Sequence, residues 1–400
     1  MSYDAPLRGI KVVDLSQGLA GPYCATLLAQ NGADVIKVEP IDGDWSRILG
    51  VSHGGHTAFS IAGNLGKRSV ALDLKSDAGK SVLWRLLDGA DVLIEGFRPG
   101  VMARLGFDYG AVSARAPRIL YVSVSGFGQD GPLAARPAMD PVLQAYTGLT
   151  LENRDGEGIP RRVPISIVDM TTALYAFQAL SAALYARRDQ AAGRHIEVSL
   201  LQSAACLQTV RLLSTRLEAQ NALLAIPPSG SFQTADGWVQ IQIVKDADWV
   251  RFCAALGAPE VSQNERFRDR DGRAQHHAAL YAALRPIFRA QATAGLLQRF
   301  TAAGILHERL NTYDEFLAHE HVTATGAVAW LRQDGVQPLL PVPNIPGTVP
   351  LADGGSRATS PACGAHTHAV LLEHGYSGAE IAQLATQRVV GGPLHELRSI

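Results

Sequence analysis

The sequence predicts an α/β fold: a large domain around a doubly wound, Rossmann-like parallel sheet, plus a smaller α+β domain. Three observations predict it. Short apolar runs alternate with helical patterns through the first 125 residues, as in a parallel sheet whose crossovers are helices. Past residue 226 the pattern changes to a DG turn flanked by alternating apolar positions, which marks an antiparallel hairpin. From about residue 327 short strand-like runs return and lead to a helical pattern, SGAEIAQLATQ. The predicted organisation is residues 1–225 as the first part of the large domain, 226–326 as the small domain, and 327–400 as a return to the large one.

The elements follow in order. GIKVVDLS is a buried strand. GPYCATLLAQNGA is a helix with Pro22 in its first turn, where a missing N–H does no harm, and Gly32 at its end. DVIKVEP and SVALDL are the second and third strands, and KSDAGKSVLWRLLDGA is the next helix. DVLIEGF and ILYVSVSGFG are the fourth and fifth strands, and ENRDGEG (152–158) is a surface loop. Asp169 stands at the hinge where PISIV turns into a long apolar helix over residues 170–186. Thr, Gln and Ser interrupt that helix and it is marginally short for a bilayer, so a buried core helix is expected. Beyond IPPSGSF (226–232) come the strand TADGWVQIQIV and helices at 246–256, 278–290 and 293–303.

Composition removes several function classes. The 400 residues are 47% apolar and 18% charged with a net charge of -1, which excludes a disordered chain and gives no basic surplus for nucleic acid. Four cysteines, at 24, 206, 253 and 363, form no CxxC pair. With no signal-peptide pattern at the N-terminus, a reducing, cytoplasmic setting is expected. Histidines pair up at 53/56, 276/277, 319/321 and 366/368, but without HExxH or an acidic partner at ligand spacing, so no metal is expected. No G-x-S-x-G elbow occurs.

The candidate chemistry lies at strand ends. SQGLAGP (16–22) lacks the G-x-G-x-x-G fingerprint of a nicotinamide-dependent oxidoreductase. Its glycines and helix N-terminus can present N–H groups to phosphate, and equally fit an ordinary tight turn. Glu39 ends the second strand, where a ribose-binding acid would sit. Lys67, Arg68, Lys75, Arg98 and Arg104 fall in or beside loops at strand ends. Singly each fits a solvated face; together they point to a polyanionic ligand. Asp169 has two readings. As a helix cap it would accept from the N–H of Thr171 or Thr172, worth ~1 kcal/mol. As a covalent nucleophile it would need a reactive electrophile and a site that strips its water. A helix start favours the ionised form by ~0.3–1 kcal/mol.

LRGIKVVDLSQGLAGPYCATLLAQNGADVIKVEP resembles the opening of the class III CoA-transferases, a family that also holds the α-methylacyl-CoA racemases. The resemblance continues through GKRSVALDLKS, ADVLIEGFRPGVMARLGFDY, ILYVSVSGFGQDGP and VDMTTALYAFQALSAALYAR, then FQTADGWVQIQI and GAHTHAVLLEHGYSGAEIAQL, and so covers nearly the whole chain. It implies an interlocked homodimer, coenzyme A and acyl-CoA as substrates rather than a resident cofactor, and Asp169 as nucleophile through an anhydride and an aspartyl-CoA thioester. It further implies CoA contacts at Gly18, Leu19, Ala20, Leu72, Lys75, Gly96, Phe97, Arg104 and Leu105; Arg68, from the basic cluster, is counted with them as a candidate CoA contact.

The departures from the family pattern are specific. Gly96 replaces an Asn, and Pro40 stands where formyl-CoA transferase carries an Arg, so a phosphate contact is lost or moved. IPPSGSF stands near the family's Gly-rich shielding loop with one glycine, Gly230. Met139 replaces the Tyr common in transferases and is expected to shape the acyl pocket. Both changes point away from formate and oxalate. In the racemase branch the same position is a His that moves a proton, which Met cannot do. The alternatives are a racemase-like enzyme or a non-catalytic CoA-binding protein. Arg161 and Arg162 are candidates for a second substrate carboxylate, or a solvated loop pair.

Overall fold

The computed structural model describes residues 3–155, 157–217 and 227–392. The expected boundary at 225/226 lies outside them. The chain forms two compact units, Met1–Thr209 with Thr325–Ile400, and Val210–Ala324.

The first unit is built on a seven-stranded sheet of β1 (Lys11–Asp14), β2 (Asp34–Glu39), β3 (Arg68–Leu72), β4 (Val92–Glu95), β5 (Leu120–Ser125), β6 (Arg194–Ser199) and, from the far end of the chain, β12 (Val390–Gly391). The order is β12-β3-β2-β1-β4-β5-β6. β12 runs antiparallel to β3, and the other pairs are parallel. The order reverses between β1 and β4, and in such sheets ligands bind beyond the strand ends at that switch point.

Helices α1 (Ala20–Gln30), α2 (Ala58–Asn64), α3 (Asp77–Leu87), α4 (Val101–Leu105), α5 (Tyr109–Arg115), α6 (Asp140–Tyr146), α7 (Leu149–Glu152) and α8 (Ile167–Ala186) follow in chain order. The two-residue period of a strand sends neighbours to opposite faces. Val12 therefore joins the core under α1 and α8, while Val13 joins the core under α3. Ala25 and Ala29 of α1 share the first core with Ala173 and Ala176 of α8; side chains this small let two helix backbones pack closely. Leu28 and Leu180 fill the space beside them, each burial contributing about 1.5–3 kcal/mol. By length and composition α8 passes as a membrane span, yet Val168, Thr172, Ala173, Ala176 and Leu180 are buried in this unit.

In the second unit, β7 (Ser229–Gln233), β8 (Trp238–Gln242) and β9 (Leu306–Arg309) form an antiparallel sheet. Helices Asp246–Leu256, His277–Arg289 and Thr293–Ala303 cover it. Within the IPPSGSF stretch, Ser229–Phe232 lie in β7, paired with β8, because the polar–apolar alternation buries Phe232 against Phe288, 4.4 Å between ring centroids. The remaining strands, β10 (Val328–Gln333) and β11 (Val336–Pro343), make a hairpin of the first unit. There Gly335 meets Gly54 so closely that a Cβ on Gly54 would stand 2.5 Å from the Gly335 carbonyl.

Candidate active site

The turn after β1 is held by buried charges. Asp14, at the end of β1, pairs with Lys67 at 2.7 Å, and Lys37 of β2 pairs with Asp44 at 3.0 Å. Burial alone would raise the Asp14 carboxyl, but Lys67 and Lys37 overcome it and hold it below the usual range. Lys37 Nζ also donates to the Ser16 carbonyl. The Gly18 N–H donates to Asp44 Oδ1 at 3.1 Å. Gly18 has φ +82° and lies under Trp45, where an added Cβ would stand 2.3 Å from the indole. Only glycine meets both demands. Glu39, a candidate ribose ligand by sequence, is consumed internally by Arg47, Ser69 and the Asp44 N–H.

Two lobes open beyond the strand ends. The first, about 610 Å³, is lined by Leu19 and Ala20 after β1, Gly96, Phe97 and Arg98 after β4, Arg136, Met139 and Asp169. The second, about 510 Å³, is lined by Leu72 at the end of β3, Lys75 beyond it, Pro40, Phe97, Leu105 and Arg388. Gln17 and Phe97 border both. Phe97 is fixed by its N–H, which donates to Glu95 Oε2 at 2.8 Å.

Asp169 is not the cap of α8. It lies in the first turn after Ile167, and the cap comes from another helix. Asp140 Oδ2 accepts the N–H of Val168 at 2.6 Å and of Asp169 at 3.1 Å. Gln144 Nε2 donates to Asp140 Oδ1 at 2.6 Å, and Gln144 Oε1 accepts from the Val163 N–H at 2.9 Å. Among the described residues the Asp169 side chain has no hydrogen-bond or ion-pair partner. Burial, with the Asp140 charge adding to it, pushes its carboxyl up to about 7. The expectation that the helix start would keep it ionised is thus corrected. Asp140 takes the terminal N–H groups, and desolvation with a like charge outweighs the dipole.

Leu19, Ala20, Leu72, Lys75, Gly96, Phe97, Leu105, Met139 and Asp169 thus come together around one cleft. Four expected residues do not line it. Gly18 is buried beneath its wall. Arg104, exposed on α4, borders neither lobe. Gly230 belongs to the other unit. Arg68 opens β3 and reaches back to Asp34 at 2.7 Å and Glu373 at 2.6 Å, at the opposite edge of the sheet. Lys67 is bound by Asp14 and is not free for phosphate. Arg161 is held by Asp155 at 2.9 Å.

Sequence reasoning missed the capping role of Asp140, the Asp44–Trp45 support, and the wall residues Arg136 and Arg388. For Asp140 there is a local signal. Asp–Pro opens a helix, but the N–H groups it serves lie 28 and 29 residues downstream.

Residues 7–367 match the family model for CoA-transferase family III. An acetyl-CoA:oxalate CoA-transferase of Acetobacter aceti is 36% identical over 310 residues, 75% of this chain and 79% of its own. A succinate–glutarate CoA-transferase of Agrobacterium fabrum is 33% identical over 92% of this chain and 95% of its own. The crystal structure of a CAIB/BAIF family protein from Brucella suis aligns with a TM-score of 0.82 at 29% identity, over 93% of this chain and all of that one.

Proposed function

The chain belongs to CoA-transferase family III, and from that premise we propose that Asp169 is the nucleophile through which this enzyme moves CoA from an acyl-CoA to a free carboxylic acid. The observation that carries the reading is the partner-free Asp169 carboxylate in a cleft at the switch point of the sheet. A carboxylate is a weak nucleophile, and one freed of hydrogen bonds and partly desolvated is a better one.

The steps balance without a cofactor. The Asp169 carboxylate attacks the thioester carbonyl, the C–S bond breaks, and an aspartyl–acyl anhydride and CoA thiolate result. The thiolate attacks the aspartyl carbonyl of the anhydride and releases the donor acid, leaving an aspartyl-CoA thioester. The acceptor carboxylate attacks that thioester, the C–S bond breaks to release CoA thiolate, and a second anhydride forms; the thiolate attacks its acceptor carbonyl, giving the new acyl-CoA and the Asp169 carboxylate. CoA is substrate throughout.

The relatives act, by name, on oxalate and on succinate and glutarate. Small diacids suit this lobe as well. Arg98 and Arg136 are exposed cations on its wall and can take a second carboxylate, the role first considered for Arg161 and Arg162. Racemisation finds no second proton carrier at Met139. We place the enzyme in the cytoplasm as a homodimer of the interlocked kind. Tyr146, Leu151 and Leu174 support the dimer as large apolar side chains left more than half exposed on α6–α8.

The test is trapping. The protein is mixed with a panel of acyl-CoAs, quenched with hydroxylamine and mapped by peptide mass. The expected result is a hydroxamate at Asp169 with each donor that supports transfer. Transfer without label at Asp169 would overturn the reading.

A further inference from the structure

The helix Gly378–Thr386 ends in a Schellman motif. The Arg388 N–H donates to Ala385 O at 3.0 Å and the Val389 N–H to Leu384 O at 2.9 Å. The residue after the C-cap in this motif adopts the left-handed conformation and is usually glycine. Here it is Arg388, φ 56°, which stands alone among the described non-glycine residues in having a positive φ. Strain of this kind persists where something else selects the side chain.

The surroundings show what selects it. β12 begins two residues later, with Val390 opposite Leu72 of β3, and the Asp73 N–H donates to Val389 O at 2.9 Å. Continuing that register sets Arg388 across from Leu74, beside Lys75. Arg388 and Lys75 line the second lobe over an apolar floor that includes Val38, Leu72 and Leu105. Asp42 and Asp73 line it too, yet among the described residues the Arg388 guanidinium makes no ion pair or hydrogen bond.

We propose that Arg388 is a CoA-binding residue, its guanidinium taking a phosphate of the nucleotide end while the thioester lies in the lobe of Asp169. This rests on the reading that the cleft takes acyl-CoA. An apolar floor suits the adenine, and guanidinium with ammonium is the chemistry that holds phosphate. Pro40 lines the same lobe. Where the chain leaves β2 at Pro40 it offers no cation, and Arg388 supplies one from the far end of the chain.

The test uses R388G and R388K, with calorimetric binding of CoA and of 3′-dephospho-CoA, thermal melting, and transfer kinetics. R388G relieves the backbone, so its melting temperature should rise while its affinity for CoA falls about tenfold, with KM raised and kcat kept. Opposite signs in stability and binding separate a lost contact from a damaged fold. R388K should retain most of the affinity. A loss seen with CoA but not with dephospho-CoA assigns the 3′-phosphate; an equal loss with both assigns the diphosphate. R388G binding CoA as tightly as the unsubstituted protein would overturn the proposal alone. An unsubstituted protein that binds neither nucleotide would overturn the functional reading with it.

Discussion

The charges around Arg68 at the amino edge of the large sheet and those that border the cleft at its carboxyl edge are arranged differently. At the amino edge, Arg68 is bracketed by Asp34 and Glu373, and Asp91 holds Arg187 at 2.7 Å and the Lys11 N–H at 2.8 Å. At the carboxyl edge, Asp169, Lys75, Arg98 and Arg388 border the cleft without an ion-pair partner among the described residues. Cavity size does not separate the edges, since the amino-edge hollow around Arg68 is about 700 Å³, larger than either lobe. What separates Arg68 from Lys75, Arg98 and Arg388 is that its charge is already satisfied, as is that of Glu39 beside the cleft, which Arg47 holds. Paired charges support the fold, while unpaired ones at a cleft remain available to a ligand.

The sharpest way to break this comparison is Asp169→Ala. Transfer should fall at least about 10³-fold in an acyl-exchange assay, with CoA binding kept within severalfold. Retained transfer would remove the carboxyl edge from the chemistry.

The next effect is on stability. An ordinary Asp ionises near 3.8, and Asp169 near 7 when folded. Below 3.8 both states hold the proton and Asp169 contributes nothing. Between the two values the unfolded chain loses its proton first, so stability declines as pH rises, and above about 7 the full cost is present. Asp169→Asn should therefore be more stable than the parent at pH 8 by roughly 1–3 kcal/mol, discounted for its partial exposure, with the gap closing towards pH 4. Denaturant melts at both pH values read this directly, and a gap independent of pH would show that Asp169 ionises normally.

Asp140→Asn removes a like charge and weakens the cap. The midpoint of the pH–rate profile, expected near 7 with rate rising as Asp169 ionises, should move down by up to about one unit. The protein should lose about 1 kcal/mol of stability. An unmoved midpoint would make Asp140 a cap only. Smallest is Arg68→Ala, where half-exposed carboxylate partners limit the stability loss to about 1 kcal/mol and KM for acyl-CoA should stay within twofold. A large rise in KM would erase the distinction between the edges.

Much of the fold was legible because its signals are local. The strand runs from GIKVVDLS to ILYVSVSGFG, and the helices Asp246–Leu256 and Thr293–Ala303, appear where their periods put them. The strand β7 within IPPSGSF was not legible, because the partner strand that makes it had to be folded against it. For the site, Asp169 and Lys75 were legible as an acid opening a helix and a cation following a strand, while Gly96 and Phe97 were implied by the family resemblance. Arg68 was not separable from Lys75 by sequence, since both flank the same strand. β3 points one to each edge.

By itself, then, the sequence determined the layers, the strand ends and the presence of an acid at the start of an apolar helix, all consequences of short-range periodicity. The tertiary structure alone decided which charges are free. Arg68 meets Glu373 across 305 residues of chain, Asp140 reaches the Asp169 N–H across 29, and Arg388 arrives at the cleft only because β12 returns to pair with β3. Desolvation and Coulomb interactions depend on distance in space, so the ionisation of Asp169 and the availability of Arg388 exist only once the chain has closed on itself.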